Sequence, residues 1–389
     1  MNHTDFDVIV AGAGAGGAAA AYYLTRAGLR VLVVEKARLP RYKACGGAIP
    51  RPALQRFPFG FEDVIHAAPG TARFMHPGQP AVDVELPDRP VVMVMRSEFD
   101  AFLLDRAGAE VLEGCPVVGV AEMPGSIRVE LEDRSLTARY LVGADGALSE
   151  VAHLLGLRPH RRLGGALEAE VPLSGRDDLR AEYGDRAIFS MAGVPWSYAW
   201  VFPKSEHLSV GIGRLRPGRV DLRSALQNEM DRLGVPLDGV QVHGHVLPCF
   251  QAPPWRFWQR QLQERLSTRR CVLVGDAAGL VDPFYGEGIR YAMTSARLAA
   301  EAIAGDDLTR YEARIWADIG HNLATAGLLA NTYYRLPWLC YQLGVRNPAV
   351  IRQFVDPLSE RFSYQGVARR IIATTARWVL KADKERTQT

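Results

Sequence analysis

The stretch Val8-Ile9-Val10-Ala11-Gly12-Ala13-Gly14-Ala15-Gly16-Gly17 decides the fold, because a short apolar run passes directly into closely spaced glycines. Gly12 permits a tight turn from strand to helix, Gly14 lets the backbone approach a pyrophosphate, and Gly17 allows close packing of helix on strand. The first N–H groups of the helix would then face the anion. The pattern predicts a dinucleotide site formed by Gly12, Ala13, Gly14, Ala15, Gly16 and Gly17.

A second apolar run supports this interpretation. Arg30-Val31-Leu32-Val33-Val34 reads as a strand and ends in Glu35, followed by Lys36. An acidic residue at this distance accepts hydrogen bonds from the adenosine ribose in dinucleotide-binding domains. A glycine-rich turn that binds nothing is the simpler alternative, but strand, helix, second strand and terminal acid are all present. We therefore predict that Glu35 and Lys36 contact the nucleotide.

Two later stretches repeat the combination of apolar run, glycine and aspartate. They are Leu141-Val142-Gly143-Ala144-Asp145-Gly146 and Val272-Leu273-Val274-Gly275-Asp276-Ala277-Ala278-Gly279, the latter continued by Gly286-Glu287-Gly288. Each alone is weak, and Asp145 or Asp276 could simply cap a turn with its side chain. Their occurrence in this order predicts that three distant parts of the chain contact one large ligand.

Composition excludes several function classes. The chain has 389 residues, 48% of them hydrophobic, and its net charge of +3 is too mild for a nucleic-acid-binding protein. Its five scattered cysteines include no Cys-x-x-Cys, which argues against a disulfide framework or zinc site and predicts no bound metal. The apolar run Val8 to Leu24 follows Asp5 and Asp7 and contains four glycines, so we expect no targeting segment and a cytoplasmic protein.

The order of strand-like and helix-like segments predicts an α/β fold. We expect a Rossmann-like nucleotide-binding domain interrupted by a mainly antiparallel β-sheet domain and followed by a helical region. The predicted boundaries are residues 1–165 plus 265–310 for the first domain, 166–264 for a substrate-binding domain, and 311–389 for the helical region. Short strands within 71–94 are expected to join the substrate-binding domain.

An aromatic strand is the most unusual local feature. In Pro195-Trp196-Ser197-Tyr198-Ala199-Trp200-Val201-Phe202-Pro203, alternate side chains share one face of the strand. The alternation predicts one aromatic wall made of Trp196, Tyr198, Trp200 and Phe202. Such a wall suits a long apolar, polyunsaturated substrate, although core packing of a sheet would produce the same stripe.

The order of the three glycine stretches resembles the FAD-dependent hydroxylase superfamily, also called para-hydroxybenzoate-hydroxylase-like or glutathione-reductase-2 type. This resemblance implies that FAD is the ligand. Gly12, Gly14, Gly17 and Glu35 would hold its ADP half, and Asp276 would bond the ribityl chain. The resemblance places Arg96, Gly286, Gly288 and Ile289 near the cofactor, with Asp145 and Gly146 serving both the flavin and a nicotinamide donor.

Two segments narrow the resemblance. Arg41-Tyr42-Lys43-Ala44-Cys45-Gly46-Gly47 contains a Cys-Gly-Gly, and Pro195 to Pro203 matches the pattern Pro-x-x-Tyr-x-Trp-x-Phe-Pro. Both features resemble the geranylgeranyl reductase family within this superfamily. Membership would imply reduction of carbon–carbon double bonds in an isoprenoid or prenylated lipid by reduced FAD, with Cys45, Gly46 and Gly47 beside the flavin.

The chemistry of an isolated alkene leads to a mechanistic hypothesis. No adjacent carbonyl stabilises charge after hydride addition, so protonation should lead or accompany hydride transfer and leave positive charge on a tertiary carbon. The ring faces of Tyr198 and Trp200 could stabilise that charge by about 1–2 kcal/mol in a dry site. Cys45 is the candidate proton donor or positioning group, and a small packed thiol is its simpler alternative.

Several alternatives stay open from the sequence alone. One alternative is a flavin-dependent monooxygenase or halogenase of the same superfamily, since the aromatic strand also resembles that of the halogenases. Another is a non-catalytic prenyl-lipid-binding flavoprotein. No second Gly-x-Gly-x-x-Gly follows a strand, so NADPH or reduced ferredoxin would have to reach the flavin directly. Near the end of the chain, Ile372, Ala376, Val379 and Leu380 share one helical face, which suggests peripheral membrane contact or packing on the protein itself.

Overall fold

The computed structural model describes residues 4–157, 161–191, 193–251, 265–347, 350–352 and 363–370. The strands, numbered along the chain, are β1 (Phe6–Ala11), β2 (Val31–Glu35), β3 (Ala48–Pro50), β4 (Ile65–Ala67), β5 (Thr71–Met75), β6 (Val82–Glu85), β7 (Val91–Val94), β8 (Glu110–Glu113), β9 (Val117–Met123), β10 (Ser126–Leu131), β11 (Ser135–Gly143), β12 (Arg161–Pro172), β13 (Arg186–Ser190), β14 (Ser197–Pro203), β15 (His207–Arg214), β16 (Val242–Phe250) and β17 (Cys271–Leu273).

The helices connect and cover these strands. They are α1 (Ala15–Arg26), α2 (Arg51–Leu54), α3 (Arg96–Ala107), α4 (Glu150–Leu154), α5 (Asp177–Tyr183), α6 (Leu222–Arg232), α7 (Ile289–Ala304), α8 (Tyr311–Ile315), α9 (His321–Arg335) and α10 (Pro337–Cys340). Single π-helical turns follow α8 at Trp316–Gly320 and α10 at Tyr341–Val345, and a 3₁₀ turn spans Glu62–Val64.

The first sheet carries the predicted nucleotide-binding motif. Its strand order is β8-β2-β1-β11-β10-β9, with β17 paired to β11. The strands β8, β2, β1, β11 and β17 run parallel, so their carboxyl ends meet at one edge. Helix α1 packs between α3 and α7. Because helices cover the parallel strands, β1 and β2 are almost continuously apolar and buried.

Two glycines explain why β1 can turn so sharply into α1. Gly12 has a φ of +100°, which favours glycine, and a Cβ there would lie 2.5 Å from the carbonyl oxygen of Ala144. A Cβ on Gly17 would lie 1.8 Å from the carbonyl oxygen of Gly12. The helix therefore starts directly against the strand end, as the sequence predicted.

The second sheet is mostly antiparallel. Its order is β16-β12-β15-β14-β13-β5-β6, and only β13 and β5 among these pair in parallel. On one face, Ala199 and Val201 of β14 join a cluster with Leu226 and Met230 of α6. The opposite face carries the aromatic residues of β14 and turns toward the first sheet. The mixed α/β fold with a largely antiparallel second sheet and C-terminal helices confirms the predicted fold class.

The strands expected within 71–94 separate into two sheets. Strands β5 and β6 join the second sheet, whereas β7 lies between β3 and β4 in a small three-stranded sheet. All four residues of β7 are buried, which fits a strand covered on both faces. Of the strands expected to join the substrate-binding domain, Thr71–Met75 and Val82–Glu85 therefore lie in the second sheet, and Val91–Val94 lies in the small one.

The C-terminal helices cover the end of the second sheet. Tyr333 and Tyr334 of α9 and the buried Tyr341 pack in one cluster with Phe284 and Tyr285. Ile372, Ala376, Val379 and Leu380, on which the membrane-contact hypothesis depends, lie outside the described residues. Within the described ranges, none of the helices combines the length and apolar character that a membrane crossing would require.

Candidate active site

One cavity collects residues from all three predicted stretches and from the aromatic strand. Its wall includes Gly14, Ala15 and Gly16 from the first stretch, Ala144 and Gly146 from the second, and Val274, Gly275, Asp276, Gly286, Gly288 and Ile289 from the third. Cys45, Gly46, Gly47 and Arg96 also line it, together with Tyr198, Trp200 and Phe202. The fold thus brings together residues that lie more than 200 positions apart.

Charged side chains surround the glycine turn. Glu35 accepts hydrogen bonds from the backbone N–H of Ala13 (2.8 Å) and Ala37 (3.0 Å), while Lys36 is exposed beside it. A Cβ on Gly14 would lie 3.4 Å from Nη2 of Arg41 and 3.7 Å from Nη2 of Arg96. Two guanidinium groups therefore reach the point where the backbone is most accessible, which suits a pyrophosphate.

The Arg96 side chain is almost fully buried and paired. Its Nε and Nη2 donate to the two carboxylate oxygens of Asp100 at 2.9 and 2.7 Å, and Arg41 lies 3.5 Å from the same carboxylate. Burial disfavours the charged form of Arg96, but the attraction of the Asp100 carboxylate outweighs burial and raises the pKa of Arg96. The guanidinium is thus held charged at the cavity wall. The sequence had singled out Arg96 but neither Asp100 nor a site role for Arg41.

The two aspartates of the later stretches behave differently. The Asp145 carboxylate accepts from Ser149 Oγ (2.5 Å) and from the N–H of Val151 (3.0 Å), and so stabilises the start of α4, whose N-cap is Ser149. The Asp276 carboxylate lies on the cavity wall, 3.5 Å from Lys43 Nζ and 3.8 Å from His245 Nε2. Burial opposes its ionisation, but Lys43 and His245 outweigh burial and hold the pKa of Asp276 well below its usual value.

The aromatic wall contains three of its four predicted members. Adjacent ring centroids of Tyr198, Trp200 and Phe202 lie 6.1 and 6.2 Å apart. Tyr198 Oη donates to the carbonyl of Tyr285. Trp200 Nε1 is buried and has no hydrogen-bond partner among the described residues, so a donor faces the cavity region without an acceptor.

Trp196 departs from the predicted wall. It precedes β14 in a turn with a φ of +64°, which breaks the alternation of the strand. Its ring stacks on Tyr334 at 5.6 Å, and the guanidinium of Arg216 lies 3.2 Å from its centre. Trp196 therefore lies outside the cavity lining, against the C-terminal helices.

The register of the second sheet places Trp200 in a row across four strands. Trp200 lies opposite Gly211 on β15, Gly211 opposite Glu168 on β12, and Glu168 opposite His243 on β16. A Cβ on Gly211 would lie 2.2 Å from Cζ2 of Trp200. Glycine at this position lets the indole extend across β15 toward β12, where Glu168 lines the same cavity.

Comparison with known proteins identifies the family of this chain. Residues 5–174 match the model of an FAD binding domain. A geranylgeranyl diphosphate reductase of Rhodobacter capsulatus is 31% identical over 315 residues, covering 76% of this chain and 74% of that protein. A menaquinone reductase of Mycobacterium tuberculosis is 30% identical over 356 residues, covering 83% of each.

The chain belongs to the geranylgeranyl reductase family of flavoproteins. A solved structure, that of a geranylgeranyl bacteriochlorophyll reductase-like protein from Thermoplasma acidophilum, superposes with a TM-score of 0.74. It covers 98% of both chains at 21% identity, so it shows that the fold is shared. The chain is therefore a member of a family of FAD-dependent oxidoreductases.

The Cys-Gly-Gly segment of this reductase-family chain is held by a lysine that no sequence motif singled out. Lys204, only 4% exposed, donates from Nζ to the carbonyls of Gly46 (2.7 Å) and Val94 (2.6 Å). Burial lowers the pKa of Lys204 to about 8. Its position directly after Pro203, at the end of an entirely buried strand, was the available signal.

These residues fit the FAD that the family binds. The β1–α1 turn is a cradle that side chains on Gly12 or Gly17 would fill, and two guanidinium groups reach it at Gly14. At the other end, a Cβ on Gly46 would lie 3.2 Å from the indole nitrogen of Trp200, which has no acceptor within the described part of the chain. The cavity thus presents two guanidinium groups that can bind a pyrophosphate. Its aromatic wall, with the indole N–H as a donor, can contact a flavin ring or a lipid chain.

Proposed function

We propose that this chain reduces isolated carbon–carbon double bonds of an isoprenoid lipid, with electrons from bound FAD. The observation that supports this most is that the cofactor-binding stretches and the three-ring wall line one continuous cavity. When bound, reduced FAD supplies the hydride for the reaction. The names of the relatives support a prenyl substrate, since one is a geranylgeranyl diphosphate reductase and another a menaquinone reductase.

The chain's own residues would then exclude water and stabilise charge. Tyr198, Trp200 and Phe202 are less than a tenth exposed and offer ring faces rather than competing polar groups. A carbocation beside the faces of Tyr198 and Trp200 would be stabilised by about 1–2 kcal/mol. Gly12 to Gly17, Glu35, Arg96 and Asp276 are proposed to bind the cofactor, and Cys45, Gly46 and Gly47 to contact its reactive part. NADPH or reduced ferredoxin is the proposed electron donor.

Product analysis tests this function. The protein is reconstituted with FAD, photoreduced without oxygen, and incubated with geranylgeranyl diphosphate, a prenylated pigment, a polyprenyl quinone or a prenyl ether lipid. Mass spectrometry should show two added hydrogens per reduced bond for at least one of them. Unchanged substrates under anaerobic conditions, together with an oxygenated or halogenated product in air, would favour a monooxygenase or halogenase. Tight lipid binding without any product would favour a non-catalytic carrier.

Cys45→Ala is expected to retain FAD and to slow alkene reduction by about a hundredfold, because the thiol contacts the reacting region and small displacements there are costly. Cys45→Ser should recover part of the rate. The matched control is Cys115→Ala, since Cys115 is a partly buried thiol outside the cavity. Flavin absorbance measures cofactor binding and mass spectrometry measures the rate. Full activity in Cys45→Ala would exclude a role for this thiol in the reaction.

A further inference from the structure

Glu168 is a buried carboxylic acid in the wall of the cavity, and the proposed function does not use it. It is 2% exposed and lies in the same cross-strand row as Trp200. Strand β15 lies between β12 and β14 and contributes only Gly211 to this row, so the Trp200 indole extends across that glycine. The two strands are about 10 Å apart, and the indole bridges part of this distance, so the carboxyl group lines the same cavity as the aromatic wall proposed to hold the alkene.

The hydrogen-bond partners of Glu168 are hydroxyl groups. Ser209 Oγ donates to Oε1 at 2.9 Å, and Tyr42 Oη donates to Oε2. Among the residues that the structure describes, no lysine, arginine or histidine forms an ion pair with Glu168, in contrast to Asp276 with its Lys43 partner. A buried carboxyl group without a paired cation takes up a proton more readily than an exposed one.

Tyr42 connects this acid to the surface. The side chain is 41% exposed, and its ring packs on His243 with centroids 4.3 Å apart. A phenol both donates and accepts hydrogen bonds, so it can pass a proton from water to a carboxylate. A path for protons, from solvent water through Tyr42 to Glu168, thus reaches the cavity wall.

We infer that Glu168 is the acid that protonates the alkene, and that Tyr42 reprotonates it from solvent. The inference rests on the proposed function. In the step, the π electrons of the double bond form a new C–H bond with the Glu168 proton, and the O–H bond breaks to leave a carboxylate. The other carbon takes hydride from reduced FAD, so the alkene gains two electrons and the flavin loses two. Cys45 then keeps a positioning role.

The charges around Glu168 set the direction of the pH dependence. Burial raises the pKa of Glu168 to about 7, against the hydrogen bonds from Tyr42 and Ser209. The titratable groups that face it are Tyr42 from the loop before β3, Glu170 on its own strand, Lys204 after β14 and His243 on β16. The protonated, reactive form is present below that pKa, so the rate of alkene reduction should fall as pH rises through about 7.

The test compares Glu168→Gln with Glu170→Gln in the FAD-loaded protein. Glu170 lies two residues further along β12 and outside the cavity lining, so its variant should match the wild-type rate at low pH. Glu168→Gln should bind FAD normally, reduce a geranylgeranyl lipid about a hundredfold more slowly, and lose the pH dependence. Tyr42→Phe enzyme prepared at low pH should show the wild-type rate in its first turnover, because Glu168 is already protonated. Later turnovers should be slower, because Glu168 must then be reprotonated.

An infrared measurement supplies a readout apart from activity. The wild-type holoprotein should show a carbonyl band of a protonated carboxyl group that disappears as pH rises through about 7. Glu168→Gln should lack this band. An unchanged rate and pH profile, or the same titrating band in the variant, would overturn the assignment of Glu168 alone. A wild-type protein that reduces no olefin at any pH would overturn the proposed function and the assignment with it.

Discussion

Gly17→Ala is expected to prevent formation of a folded, yellow protein. The new methyl group would lie 1.8 Å from the Gly12 carbonyl oxygen, far inside contact distance. Gly12 cannot retreat, because its own Cα faces the carbonyl of Ala144 and its φ of +100° is fixed by the turn. To remove this clash, α1 has to move away from β1, which should lower the free energy of unfolding by more than about 4 kcal/mol.

The matched control is Gly16→Ala, one residue earlier. A Cβ there would lie 3.4 Å from the Ala292 Cβ and 3.5 Å from Val274 Cγ2, which is near ordinary contact. This variant should fold and retain most of its FAD. Circular dichroism melting and the ratio of flavin to protein absorbance measure both effects. Equal behaviour of the two variants would contradict the close packing of helix on strand.

Arg96→Met is expected to lower the free energy of unfolding by about 3–5 kcal/mol, because it leaves the buried Asp100 carboxylate without its bidentate partner. It should also weaken FAD binding by about a hundredfold, since one of the two guanidinium groups at Gly14 is lost. Chemical denaturation gives the stability, and titration of the apoprotein with FAD gives the affinity.

The double variant Arg96→Met/Asp100→Leu separates these two effects. It removes both partners of the buried pair, so stability should largely return. FAD affinity should remain low, because the cation near the glycine turn is still absent. Recovery of both quantities in the double variant would mean that Arg96 acts only through the structure and does not contact the cofactor.

Local patterns predicted much of this fold. The glycine turn lies between β1 and α1, and Glu35 ends β2. Each of these depends on residues close together in sequence, where periodicity and turn chemistry dominate. The order of the glycine stretches also predicted that distant segments meet, because parallel strands place their carboxyl ends at one edge.

What the sequence could not predict depends on long-range register and on single turns. Glu168 faces Trp200 only because β12 and β14 both pair with β15 in one register. Lys204 meets Gly46 across 158 residues. Trp196 lies outside the aromatic wall because its own φ is positive, which the alternation of side chains along a strand does not predict. Asp145 bonds Ser149 four residues later, a local cap that competed with the predicted cofactor contact.

Flavin reoxidation without oxygen tests the central claim that this cavity joins bound FAD to an olefin. The photoreduced holoprotein is mixed anaerobically with geranylgeranyl diphosphate, and in parallel with its fully saturated analogue, whose head group is the same. We predict that the visible absorbance of oxidised flavin returns with the unsaturated lipid and stays absent with the saturated one. Flavin that remains reduced with every prenyl olefin and is reoxidised only when oxygen is admitted would contradict the account.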